Sequence, residues 1–175
     1  MIRLKELEIN VAERLAEIDR SEQIDLIYEI QDGQMLEVAA GHECPNWNQH
    51  QIREIIERFK YELSNGGKAF GAFDKDLLVG FAVLAHKFRG KKKDQLQLDL
   101  MYVSRTYRRQ GIGTQLMEKI SQEARKWGAG SLYISSTETE SAVNFYKSAG
   151  SELTDEIDQE LFEREPKDIH MIRIL

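Results

Sequence analysis

Residues 107–120 read YRRQGIGTQLMEKI. Two arginines and two glycines stand immediately before a stretch in which Ile112, Leu116, Ile120, Ala124 and Trp127 recur at helical spacing as far as Gly128. Just upstream, residues 95–103 (QLQLDLMYV) alternate. Leu96, Leu98, Leu100 and Tyr102 fall on one strand face, and Gln97, Asp99, Met101 and Val103 on the other. A strand, an Arg-Gly turn and a helix opening at Gly111 together describe an anion site. The first turn of a helix leaves backbone N–H groups unpaired and carries about half a positive charge. Gly111 and Gly113 lack a Cβ, which lets a phosphate approach those groups, while Arg108 and Arg109 add charge and Thr114 a hydroxyl. The plainer alternative is a solvated turn before a helix that tolerates glycine, although two glycines there cost roughly 1 kcal/mol each against alanine. Two familiar phosphate motifs fail: Leu116 stands where a G-x-G-x-x-G fingerprint needs its third glycine, and no Gly-Lys-Ser/Thr follows.

Outward from this stretch, strands and helices alternate. Residues 131–135 (SLYIS) read as a strand, 137–150 (TETESAVNFYKSAG) as a short helix ended by Gly150, and 168–175 (DIHMIRIL) as a last strand after Pro166. Upstream, residues 69–73 and 77–88 read as strands turned at Asp74-Lys75-Asp76, followed by the basic loop RGKKK at 89–93. Asn48 is placed to cap a helix over 49–64, with Ile52, Ile55, Ile56, Phe59 and Leu63 in one stripe and Asn65-Gly66-Gly67 as its stop. Asp32-Gly33 between apolar runs predicts a hairpin. A first strand to Leu7 and a helix capped by Asn10, running to about Asp19, complete the reading. Hairpins early and alternation late point to one α/β or α+β sheet with helices packed on it.

The length of 175 residues suits a single domain over 1–175, and a hydrophobic fraction of 41% supplies a core. The net charge of −6 argues against nucleic acid as a partner and mildly favours cationic ones. Cys44 is the lone cysteine, so no internal disulfide forms. No apolar run has the length of a signal peptide or of the ~20 residues of a membrane span. The expectation is therefore a cytoplasmic protein without membrane contact. His42, Cys44 and His50 match no zinc spacing, and no metal is expected.

V-S-R-T-Y-R-R-Q-G-I-G-T resembles the Q/R-x-x-G-x-G/A motif of the GCN5-related N-acetyltransferases (GNAT), with Arg108, Gly111 and Gly113 at its defined positions. About thirty residues on, S-A-V-N-F-Y-K-S-A-G is similar to the family's second signature through Ala142, Phe145, Tyr146 and Gly150. The resemblance spans roughly residues 77–150. It departs at Thr139, where many relatives have asparagine, and at Ser151, where relatives usually have phenylalanine.

The resemblance implies a mixed, mostly antiparallel sheet with helices on both faces and a central parallel pair, 95–103 and 131–136, that splays. It implies acetyl-CoA as donor, the primary amine of a small molecule or peptide as acceptor, and direct transfer. Backbone groups of Met101 and Val103 would hold the pantetheine. N–H groups of Arg109, Gln110, Gly111, Ile112, Gly113 and Thr114 would hold the pyrophosphate. Tyr146 would protonate the leaving thiolate and border the cofactor. Asp99, on a strand face with Met101 and Val103, is the candidate base, with a salt-bridged or solvent-facing role as the other reading. Glu165 and His170 are weaker candidates, and Gln97 stands where some relatives carry a glutamate. Dimers are common among relatives, which leaves a homodimer open. A non-catalytic acyl-CoA binder that keeps the same cradle is the alternative.

Overall fold

A computed structural model describes residues 1–175. β1 (Ile2–Leu7) is followed by a 3-10 helix at Ile9–Glu17, not by the α-helix expected from Asn10. Ala12, Leu15 and Ile18 recur every three residues and are all buried, which is the period of a 3-10 turn. Glu8 holds the N-cap position without a side-chain hydrogen bond, and Asn10 lies inside the helix.

β2 (Glu22–Gln31) and β3 (Gln34–Cys44) form the expected hairpin as a separate two-stranded sheet. Asp32 and Gly33 both take positive φ, 51° and 77°, the turn geometry that matches strand twist. α1 (Gln49–Ser64) begins at a reciprocal cap: the Asn48 side chain accepts from the Gln51 N–H, and the Gln51 side chain accepts from the Asn48 N–H.

The main sheet contains β4 (Lys68–Asp74), β5 (Leu77–Arg89), β6 (Gln95–Val103), β7 (Ser131–Ser136), β8 (Glu152–Leu153) and β9 (Ile169–Ile174), in the order β1-β4-β5-β6-β7-β9-β8. All pairings are antiparallel except β6 with β7. α2 (Ile112–Lys126) packs on one face, where Leu116, Met117, Ile120 and Ala124 meet Leu84, Leu96, Leu132 and Ile134. α1 and the 3-10 helix cover the other, where Ile56, Phe59, Leu15 and Ile18 meet Phe81, Val83 and Leu100. α3 (Glu140–Ser148) and the short α4 (Gln159–Arg164) flank β7 and β9 in sequence; α4 and β8 had no counterpart in the sequence reading. No helix is long and apolar enough to cross a membrane.

Two irregularities of β6 create the site. Its parallel rows with β7 are Gln95↔Ser131, Leu96↔Leu132 and Gln97↔Tyr133, after which the strands part. Leu98 pairs with Leu84 and Leu100 with Val83, which leaves Asp99 as an extra residue, a bulge. A one-residue slip exchanges the faces of a strand. The alternation read from sequence is therefore wrong across this point. Leu96 and Leu98 enter the α2-side core with Met101 and Val103, while Leu100 and Tyr102 pack on the α1 side. Asp99 does not share its face with Met101 and Val103.

Replacing the cap by Asn48→Ala removes its half of the reciprocal pair and should cost about 1 kcal/mol, or roughly 2–4 °C in melting temperature for a chain of this size. Thermal unfolding followed by far-UV circular dichroism measures it.

Candidate active site

The turn between β6 and α2 carries a row of unused donors. After the Arg108 N–H, which donates to Arg105 O, the next backbone donor with a partner is Gln115. The amides of Arg109, Gln110, Gly111, Ile112, Gly113 and Thr114 are thus all free at a helix N-terminus. Positive φ at Arg109 (60°) and Gly111 (82°) curls the chain so that successive N–H groups converge, as in an anion-binding nest. This donor set fits a diphosphate.

The two glycines serve different ends. A Cβ at Gly111 would meet nothing within 4 Å, so its left-handed backbone is what calls for glycine. A Cβ at Gly113 would stand 3.2 Å from two ring atoms of Phe145, so that glycine lets α3 pack against the first turn of α2. Sequence reasoning gave both to phosphate approach. Arg108 also has other work: its Nε donates to Val103 O at 2.9 Å and its Nη1 to Ser21 O at 2.9 Å, which ties the strand end to the start of the hairpin. Arg109 has no such partner.

Two clefts meet at the parting of β6 and β7. The larger, about 840 Å³, lies between β2, the nest and α3, and includes Arg109, Gly111, Gly113, Thr114, Phe145 and Tyr146 in its walls. The smaller, about 350 Å³, opens on the α1 side among Arg58, Gln97, Tyr102, Ser135, Glu165 and Asp168. Met101, Val103 and Tyr146 border both. Ser104 N–H donates to Val79 O, so the bonded rows of β5 and β6 continue through Tyr102 and Leu100. By alternation, the backbone groups of Met101 and Val103 point away from β5 into the gap. Arg108 takes the Val103 carbonyl there.

Tyr146 stacks on Phe145 with ring centroids 5.3 Å apart, and its hydroxyl makes no hydrogen bond within the chain. Burial raises its pKa far above the usual phenol range, so it stays protonated. Thr139, in place of the family's asparagine, caps α3 by accepting from the Ala142 N–H.

Of the two readings of Asp99, the structure shows the salt-bridged one. Asp99 accepts from Arg58 Nη2 at 2.9 Å, with its side chain 3% exposed. His170 is a core residue: its Nδ1 is 2.6 Å from the Tyr133 hydroxyl, and its Nε2 is buried without a partner. Asp168, which the sequence reading passed over, lines the smaller cleft and accepts from Ser135 Oγ at 2.8 Å. Burial foremost, reinforced by Glu165 and Glu138, raises its pKa to about 7. The basic run at 89–93 sits at the start of β6, the far end from the nest, and Arg89 is buried in an ion pair with Asp158.

The chain matches the model of the acetyltransferase (GNAT) family over residues 24–150. Its fold is similar to that of nourseothricin acetyltransferase (TM-score 0.74, 20% identity, covering 99% of this chain and 98% of that one). It is also similar to a Bacillus anthracis protein described as a streptothricin acetyltransferase, solved with acetyl coenzyme A (TM-score 0.75, 16% identity, 100% and 99% covered). A third is the PaiA N-acetyltransferase of Thermoplasma acidophilum, solved with coenzyme A (TM-score 0.65, 18% identity, 100% and 99% covered). At these identities the likeness is one of fold. No curated protein matches by sequence.

The two glycines should respond differently to alanine. Gly111→Ala should lower stability by about 1–2 kcal/mol through backbone strain alone. Gly113→Ala should instead displace the Phe145 ring, seen as a changed aromatic near-UV circular dichroism signal that Gly111→Ala leaves intact.

Proposed function

This chain belongs to the GNAT acetyltransferase family, acyltransferases that use acetyl-CoA, and on that premise we propose that it moves the acetyl group directly to a primary amine of a small molecule or peptide. The acetyltransferase unit takes in all of residues 1–175. The observation that carries the reading is the run of free amides from Arg109 to Thr114, opening on a cleft that meets a second one at Tyr146.

The nest amides and the Arg109 side chain grip the diphosphate of the donor. The backbone of Met101 and Val103, turned into the gap between β6 and β7, lines the path of the pantetheine arm. The Met101 edge also presents an amide to the thioester oxygen, where negative charge grows as the amine attacks. Tyr146 borders both clefts with an uncommitted, protonated hydroxyl, and it gives a proton to the departing sulfur. The amine enters by the smaller cleft, on the opposite side of the sheet from α2.

Four arginines and four carboxylates line that smaller cleft. Arg58 pairs with Asp99 and Arg164 with Glu160, Arg20 and Arg108 donate to backbone carbonyls, and Glu165 and Asp168 have no cationic partner. This supports a cationic acceptor. An acceptor panel includes nourseothricin and a streptothricin, the compounds named for two proteins of similar fold, beside a polyamine, lysine and a peptide with a free N-terminus. Thiol release from acetyl-CoA above the hydrolysis background with any of these supports the enzyme. Coenzyme A binding without release across the panel supports a binding protein.

Tyr146→Phe should lower kcat about a hundredfold, with coenzyme A affinity and melting temperature little changed. Full activity in that variant at every pH would remove Tyr146 from the mechanism.

A further inference from the structure

We propose that Asp168, at the entry to β9, is the catalytic base that takes the proton from the acceptor's ammonium group. This rests on the acetyl-transfer reading above and adds to it the residue that makes the amine nucleophilic.

The geometry singles out Asp168 among the acids. It borders the acceptor cleft together with Tyr146. Ser135, which holds it, lies on β7 two residues past Tyr133, the last residue in register with β6. The carboxylate is therefore held next to the point where the strands part, in the wall of the cleft assigned to the acceptor. The other acidic candidates fail in turn. Asp99 is tied to the Arg58 guanidinium and almost wholly buried. Gln97 is 4% exposed, lines the same cleft and has an unpartnered amide, but an amide takes no proton. Glu165 is exposed at the cleft rim. Asp99 is accordingly a positioning residue that fixes Arg58.

The charged and titratable groups around Asp168 come from every neighbouring element. Ser135 on β7 and Arg58 on α1 favour its charged form, and Glu165 after α4 and Glu138 after β7 oppose it. Tyr146 on α3 and Tyr102 on β6 are neutral neighbours whose pKa values are raised by burial. The balance leaves a carboxylate that titrates at about 7, near the value a general base needs at neutral pH.

In the reaction, the ammonium N–H proton passes to the Asp168 carboxylate. The freed nitrogen lone pair forms the N–C bond at the thioester carbonyl. The C–S bond breaks as the Tyr146 hydroxyl gives its proton to sulfur, and the second N–H proton returns to the Tyr146 oxygen. Asp168 releases its proton to water. The products are the amide, the thiol and one proton, which balances the reactants.

The test is the pH profile of kcat with the acceptor found in the panel above. The base works only when ionised, so the wild-type rate should rise through pH about 7 and level off. Asp168→Asn should lose this limb and about a hundredfold or more in rate, with coenzyme A binding unchanged. Ser135→Ala removes a group that favours the carboxylate, so the limb should move to higher pH. Glu165→Gln removes a like charge and should move it lower.

A second readout needs no turnover. A carboxyl whose pKa is raised on folding binds more protons in the folded state than in the unfolded state between pH about 4 and 7. Stability therefore falls as pH rises across that window. Asp168→Asn lacks this loss, so it should melt above wild type at pH 8 and level with it below pH 4. An intact limb in Asp168→Asn, or a limb unmoved in both neighbouring variants, overturns the assignment of the base while acetyl transfer stands. Equal melting of wild type and Asp168→Asn at pH 8 overturns it as well. Absence of thiol release by the wild type with every acceptor overturns the acetyl-transfer reading itself.

Discussion

The parting of β6 from β7 after Gln97 is the constraint from which the site follows. Two neighbouring strands in a buried sheet normally satisfy each other's backbone groups, and an unpaired buried amide costs about as much as a lost hydrogen bond. Here the fold gives up that pairing in the middle of the sheet. Met101 and Val103 keep backbone groups directed into the gap, and the two clefts join there. The bulge at Asp99 accompanies the break. It turns Tyr102 toward α1 and places Asp99 beside Arg58, so the strand that borders the gap is anchored from the α1 side.

A second concentration of unpaired backbone lies one turn further along the chain. The free amides of Arg109–Thr114 and the macrodipole of α2 make a positive site from the backbone itself. The acidic net charge of the chain is thus no obstacle to holding an anion. In the proposed reaction the two ends are chemically distinct: the amide nest would grip the donor, and the cleft that holds the unpaired Glu165 and Asp168 would receive the acceptor. Tyr146 borders both clefts, and its phenol is protonated at neutral pH.

Much of this was legible in the sequence where local chemistry decides structure. Asp32-Gly33 fixed the hairpin, Asn48 the start of α1, and the Arg-Gly turn the position of the nest. The family likeness read from Gly111, Gly113, Phe145 and Tyr146 agrees with the family match over residues 24–150. What escaped depends on contacts between distant segments. The Asp99 bulge is invisible because QLQLDLMYV alternates without interruption, and only pairing with β5 reveals the extra residue. The 3-10 helix was mistaken for an α-helix because Val11, Leu15 and Ile18 also fit a 3.6-residue period. Asp168 carries no local signal: its environment comes from Ser135, Glu138, Glu165 and Arg58, which meet only in the fold.

The most direct test is a titration of isotopically labelled protein with coenzyme A, followed by amide NMR shifts. The amides of Arg109–Thr114, with Met101 and Val103, should move most and saturate together. Binding that leaves these amides unmoved, or the absence of binding, would contradict the account.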